Sequence, residues 1–418
     1  MEKKLKEKTD EVIPLITVDK EILDFLYTIP EKLSPIIAML CKEKDLPLVD
    51  IIPVGSAFRN TILPQKIELD LFVRFDTRDI RILSTFANLI VAELANYLNL
   101  PYEIKYAENP YGTVFFISNK YHLKVPIDVV ATIWTPDTQN IKKILKISGM
   151  ARTPFHMTFL KEWIKNKELE VRLFKFWCKR KYLYGQCGFT GFLCELLIGK
   201  YDTFLNLLGN YDEINKLAWD PSNRMQNPNK LRRKFYHDLI IIMDPIDENR
   251  NAAAGIQGFY GTLQLKRFSY CAKNNLKFPE QIWQEIIFEE PYFRISIEFS
   301  IEIMNRTNDE ILSRKIAIVN ALARQFEVEE INIIDAYVEN NDIFIKTDRM
   351  DSIEYIRKGP RVIEDKFAKK FLEKNPGAFE KDKRLWIKDR YLSSGEVINK
   401  FLASRKEINF HVTKISTD

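Results

Sequence analysis

The chain has 418 residues, 46% of them hydrophobic, with 63 Lys and Arg against 58 Asp and Glu for a net charge of +5. That length suggests about three domains, with apolar content for more than one core. So small a net charge argues against a protein that coats nucleic acid indiscriminately, and no apolar stretch approaches the roughly 18 residues of a membrane span.

The opening stretch MEKKLKEKTDEVIP is charged and has no apolar leader region, so a soluble, cytoplasmic protein is expected. Residues 20–44 follow with Ile22, Phe25, Leu26, Ile29 and Leu33 at helical spacing. Strands are predicted near 49–54 and 67–74, a helix over 79–97, then strands near 102–107, 113–118 and 123–133. Together these make a small α/β head around a mainly β palm. From about 155 to 208 the pattern turns helical. There Arg172, Lys175 and Lys179 fall on one face, either a solvated surface or, opposite a set of carboxylates, a grip for triphosphate.

Residues 220–234 are polar with two prolines and read as a loop or variable insertion. A strand-like run Leu239 to Met243 leads into Asp244-Pro245. Residues 292–303 alternate as a strand, 311–325 read as a helix, and 330–346 return to strands around a turn at 339–342, which suits a small α+β body. The last segment is the basic one: 351–418 holds 16 Lys and Arg against 11 Asp and Glu, leaving the rest of the chain neutral. Such a tail is either an electrostatic footprint for phosphate backbone or a solvated helical surface. Five cysteines, Cys41, Cys178, Cys187, Cys194 and Cys271, have no CxxC pairing and no histidine cluster. Reduced thiols are the simplest reading, and structural zinc is not expected.

The chemistry concentrates in VGSAFRNTILPQKIELDLFVRF, residues 54–75. Glu68 and Asp70 alternate with Ile67, Leu69 and Leu71, so on a strand both carboxylates leave one face. Alternating acids also occur on ordinary half-solvated strands. Here, however, Gly55-Ser56 lies twelve residues upstream. Glycine admits a phosphate close to the backbone, Ser56 adds a hydroxyl donor, and Arg59 is near enough to meet triphosphate oxygens. Asp128, alone among β-branched residues in LKVPIDVVATI, is a third oxygen ligand of the kind a two-Mg²⁺ phosphoryl-transfer site needs. A buried unpaired aspartate there would otherwise be costly.

Gly-Ser, a spacer, [Asp/Glu]-x-[Asp/Glu] and a later Asp resemble the signature of the DNA polymerase β-like nucleotidyltransferase superfamily. The fuller run is similar to one branch, the archaeal-type (class I) CCA-adding enzymes, or tRNA nucleotidyltransferases. AENPY at 107–111, ARTPFH at 151–156, VRLFKFWCKRKYLYG with GFTGFLCELLIGKYDTF, and DPIDENRNAAA at 244–254 resemble that family's segments in order. KGPRVIEDKFAKKFLEK and KDKRLWIKDRY resemble its tRNA-contacting tail. Two positions depart from the pattern, Ala151 for Asp and Asn109 for His. They bear on pocket shape and nucleotide preference rather than on the metal ligands.

The resemblance implies an α+β multidomain enzyme. Its parts would be a nucleotidyltransferase palm head (1–150), a central helical nucleotide-binding neck (151–258), an RNA-recognition-like α+β body (259–350) and a basic tRNA-contacting tail (351–418). It implies that Glu68, Asp70 and Asp128 are catalytic and hold two Mg²⁺ ions. Gly55, Ser56, Arg59, His156, Lys175 and Tyr184 would bind ATP and CTP. Arg250 and Asp244 are candidates for reading the base, or Arg250 pairs with Asp244 or Asp247 in a structural turn. Phe58, Tyr106 and Tyr111 are candidates for stacking on the primer end or for core packing. The implied activity is stepwise addition of C, C and A to the tRNA 3′ end without a template, by a homodimer. Two alternatives stay open: another template-independent RNA nucleotidyltransferase, such as a poly(A) polymerase or oligoadenylate synthetase, and a non-catalytic RNA-binding relative. Intact acids at 68, 70 and 128 argue against the second.

Overall fold

The computed structural model describes residues 2–105, 111–136, 141, 143–145, 148–286, 289–300, 308–405 and 408–415. Its contacts group into two compact units, Met1–Ile286 with Asn305–Ile311, and Ile287–Met304 with Leu312–Asp418.

The first unit begins with an element the sequence reading missed, a helix over Glu2–Ile16. Its charged residues mask a thin apolar stripe, Leu5, Val12 and Ile16, that is fully buried. A five-stranded sheet follows, with β1 Leu48–Val54, β2 Leu69–Phe75, β3 Tyr102–Lys105, β4 Tyr111–Ser118 and β5 Leu123–Ile133 in the order β1-β2-β5-β4-β3. β2 and β5 run parallel, and the other pairs are antiparallel. One face of β2 and β5, including Leu69, Leu71, Val73, Val125, Ile127 and Val129, packs under helices Lys20–Glu43, Ile80–Thr85 and Val91–Leu98, with a π-helical turn at Phe86–Ile90. Those strands alternate, so Asp70, Phe72, Asp128 and Val130 leave by the opposite face. There Phe72 and Val130 meet Met150 and Met157.

The second core of this unit is helical. Helices Thr153–Trp163, Glu168–Arg180, Gly191–Tyr201, Phe204–Gly209 and Gly258–Lys277 enclose Phe174, Trp177, Phe189, Phe204 and Phe268. Trp177 meets Phe268 edge-on at 5.7 Å. Truncating one such ring costs about 3–5 kcal/mol. The N-terminal helix packs into this core, and Trp283 Nε1 donates to Lys8 O at 2.6 Å. The helical region therefore takes in the start of the chain and continues beyond 258 through Ile282, a different partition from the expected 1–150 and 151–258 segments. Residues 220–234 also depart from the loop reading, because Asn227 caps a helix over Pro228–Lys234 by accepting from Asn229 N at 2.9 Å. Asn-Pro is a helix start as much as a turn. A short parallel pair, β6 Ala218–Trp219 and β7 Ile241–Ile242, leads to Asp244.

In the second unit β8 Tyr292–Phe299, β9 Ile333–Glu339, β10 Asp342–Thr347 and β14 Ile408–Ile415 form an antiparallel sheet ordered β14-β8-β10-β9. Most of helix Asn308–Val328 belongs to this unit. β11 Ile353–Arg361, β12 Phe379–Lys381 and β13 Arg384–Tyr391 make a second sheet, with helix Asp365–Lys374 against β11. The expected tail is thus not separate from the body, since its last strand pairs with β8 along eight residues. The predicted strand 292–303 ends at Phe299, and residues 301–303 lie outside the described residues, as do 106–107 of the strand predicted near 102–107.

Candidate active site

Gly55 has φ +89°, and a Cβ built on it would lie 2.2 Å from Asp70 Oδ2. Only glycine lets this turn pass so close to a carboxylate. Asp70 itself is in register with Val54 on one side and with Asp128 on the other. The two aspartates are therefore nearest neighbours across parallel strands. Burial, Asp128 and Glu68 push the Asp70 carboxyl up to about 7, against the pull of Arg59 and Lys66. Asp128 is also raised by burial, although Thr113 Oγ1 donates to its Oδ1 at 2.5 Å and Lys105 Nζ stands 3.9 Å away. Glu68 sits one residue before β2, in an ion pair with Lys66 at 2.9 Å.

Among the described residues no three His, Cys, Asp or Glu side chains converge into a ready-made metal cage. The expected triad is an adjacent pair, Asp70 and Asp128, with Glu68 close enough for its charge to be felt but engaged by lysine. The donor set nevertheless fits a hard divalent cation: all are carboxylate oxygens, and their mutual repulsion on a half-buried sheet face is what a cation would offset.

The expected phosphate-binding residues form a second group whose hub the sequence reading missed. Glu195 is fully buried. Arg59 donates to it from Nε at 3.0 Å and from Nη2 at 3.2 Å, Thr61 Oγ1 donates at 2.6 Å, and Lys175 Nζ at 3.0 Å. Lys175 also donates to Thr61 O and Oγ1. Arg59 and Lys175 are thus tied to a carboxylate rather than open to solvent. Glu195 is a lone acid in the apolar helix GFLCELLIGKY, and such a residue needs cationic partners. That was the available signal.

Ser56 O accepts from Arg59 N at 3.3 Å and Thr61 N at 2.9 Å, closing the turn over this group. Gly191 leaves room for both Tyr184 and Lys175, since a Cβ there would lie 3.2 Å from the Tyr184 hydroxyl and 3.5 Å from Lys175 Nζ. Burial raises the Tyr184 phenol well above its ordinary range. The basic helix face is not a solvated one: Arg172 is nearly buried and donates from Nη1 to Asn60 O at 2.7 Å and Oδ1 at 3.0 Å.

His156, Asp244 and Arg250 form the third group. His156 Nε2 lies 2.7 Å from Asp244 Oδ1, and its ring centroid is 4.4 Å from that of Phe192. Asp244 Oδ1 also accepts from Ile246 N and Asp247 N, while Arg250 Nη1 donates to Oδ2 at 2.7 Å. Burial holds the His156 imidazole below its usual pKa; for Asp244 the partners outweigh burial and keep it ionised. Asp244 is thus fully buried, takes four donors and holds the Arg250 guanidinium through Oδ2. The guanidinium lies 5.7 Å over the Phe192 ring, on a cavity of about 680 Å³ lined also by Thr190, Phe235 and Asn249.

Of the candidate stacking residues, Phe58 packs on Tyr27 with centroids 5.6 Å apart, and Tyr111 lies 5.7 Å beneath Lys105 Nζ. Ala151 is buried. Tyr106, Asn109 and the rest of AENP lie outside the described residues.

Residues 169–283 match the family model for the second domain of tRNA nucleotidyltransferases. A CCA-adding enzyme of Methanocaldococcus jannaschii is 28% identical over 420 residues, covering 92% of this chain and 87% of its own length. Over most of its length the chain is similar to that archaeal CCA-adding enzyme. A second one, from Methanococcus maripaludis, is 33% identical over 257 residues, 58% of this chain. The chain spans about half the length of that enzyme (54%). Among solved structures, a cytoplasmic RNA terminal U-transferase aligns with 69% of the chain and all of its own at 12% identity and TM-score 0.49, too loose a likeness to bear on function.

Proposed function

We propose that this protein is a CCA-adding tRNA nucleotidyltransferase, transferring C, C and A in turn from CTP and ATP to the 3′ end of tRNA without a template. The observation that carries the reading is the pair Asp70 and Asp128, side by side on β2 and β5 directly beneath the Gly55-Ser56 turn. The likeness to CCA-adding enzymes over nearly the whole chain supports the choice of tRNA as acceptor. Glu68, Asp70 and Asp128 would hold two Mg²⁺ ions, which supply activation of the terminal 3′-hydroxyl and charge neutralisation on the triphosphate.

The chain's own residues do the rest. Ser56, the turn at Gly55 and the Arg59, Lys175 and Tyr184 group orient the β- and γ-phosphates so that the α-phosphorus faces the 3′-oxygen and pyrophosphate departs in line. His156 fixes Asp244, which in turn aims Arg250 at the incoming base. Residues 351–418 supply positive charge for the tRNA backbone. The working form is a homodimer in the cytoplasm; no helix among the described residues is long and apolar enough to cross a membrane.

The test is extension of a tRNA transcript ending at its discriminator base. CTP alone is expected to add two nucleotides, ATP alone none, and both together three. Long A runs, or equal extension of unrelated RNAs, would move the assignment to a poly(A) polymerase-like enzyme.

A further inference from the structure

We infer that Glu195 is a positioning residue that sets how tightly the site grips polyphosphate, fixing Arg59 and Lys175 while neutralising one of their two charges. This deepens the nucleotidyl-transfer reading and rests on it for the identity of the ligand. Its geometry stands alone.

One buried carboxylate needs one cation for balance, yet Glu195 has two. Arg59 meets it through two nitrogens, in the side-on fork that guanidinium and carboxylate favour, and Lys175 meets Oε1 at 3.0 Å. Thr61 Oγ1 donates to the same oxygen and accepts from Lys175, which closes the ring. The Arg59, Lys175 and Glu195 side chains are only 11%, 3% and 0% exposed. The group therefore carries a surplus positive charge that is nearly removed from water, felt at the Asp70 carboxyl through Arg59 and available to a further anion.

That surplus lies against the Gly55-Ser56 turn through Thr61 N and Arg59 N, and against the Tyr184 hydroxyl at Gly191. All three Lys175 protons are spent on Thr61 and Glu195. A polyphosphate oxygen reaching Lys175 must therefore compete with Glu195. A grip so tempered lets the cations bind the triphosphate and still release pyrophosphate. With the carboxylate gone, the same cations would carry two charges and bind either anion more tightly.

The experiment is calorimetric titration of the full chain with inorganic pyrophosphate, with no tRNA present. Glu195→Gln is expected to bind pyrophosphate about tenfold more tightly than the native chain, a gain of about 1.4 kcal/mol. Glu195→Asp, which keeps the charge, is expected to return to the native value. Unchanged or weaker binding in Glu195→Gln would overturn the inference, because a merely structural brace would lose affinity along with stability. Should Glu195→Gln fail to fold, Lys175→Met and the double variant Lys175→Met/Glu195→Gln decide: the first leaves a neutral Arg59–Glu195 pair and is expected to lose pyrophosphate binding, the second restores the native surplus of one charge and is expected to regain it, and a double variant that binds no better than Lys175→Met overturns the inference. If these binding results hold but no variant extends tRNA, the acceptor assignment has failed and the polyphosphate site stands.

Discussion

Replacing Gly55 with alanine tests how closely the turn and Asp70 depend on each other. The added Cβ would sit 2.2 Å from Asp70 Oδ2, against an ordinary contact of about 3.4 Å, so the carboxylate or the turn must shift by roughly 1 Å. Alanine at φ +89° adds backbone strain of about 1–2 kcal/mol. A fold of this size absorbs that with a fall in melting temperature of a few degrees. The chemistry does not absorb the displacement. Misplacing a reacting group by about 1 Å costs on the order of 100-fold, and Asp128 is the next residue across the sheet. Single-turnover addition of CMP to tRNA lacking its 3′ end, at saturating CTP, is therefore expected to slow about 100-fold in a protein that still melts cooperatively. A folded Gly55→Ala variant whose rate stays within about threefold of native would refute the claim that this turn positions the Asp70 carboxylate.

Asp70→Asn is expected to stabilise the metal-free protein at high pH. Because the folded carboxyl titrates near 7 and an unfolded one near 3.8, the native state holds the extra proton between those values, so stability falls as pH rises from about 4 to about 7. Melting curves in chelator should show Asn above Asp at pH 8, by at most ~4 kcal/mol, and the two converging below pH 4; a gap that persists at pH 3.5 would contradict the assignment. Arg250→Met leaves Asp244 bound to His156 but removes the guanidinium facing the cavity. It should raise incorporation of UTP relative to CTP by about tenfold or more, measured as the ratio of kcat/KM values. Thr113→Val removes the hydroxyl donated to Asp128. It should raise the Mg²⁺ concentration needed for half-maximal rate by several-fold while KM for tRNA stays fixed.

The strands that carry the acids could be read directly because β2 and β5 are short runs of β-branched and apolar residues in which an aspartate stands out. β5 spans 123–133, as predicted. The register that sets Asp70 against Asp128 has no signature in either strand alone, since any even shift would keep both on the same face. Glu195 went unread because its helix is apolar nearly all round, and a single acid there gives no periodic signal. Its meaning appears only when Arg59, 136 residues away, arrives beside it. For Arg250 the residue types allow both contact with the base and an ion pair with Asp244 or Asp247, and only the fold shows that its Nη1 donates to Asp244. The helix at Glu2–Ile16 was masked by its own lysines and glutamates.

The most direct measurement is parallel extension of a tRNA lacking its CCA end by the native chain and by Asp70→Asn, with CTP and ATP together and products resolved to one nucleotide. The native chain is expected to stop at three added nucleotides, C, C and A, and the variant to add none. A tRNA end left unchanged by the native chain, or extended equally fast by Asp70→Asn, would contradict the account.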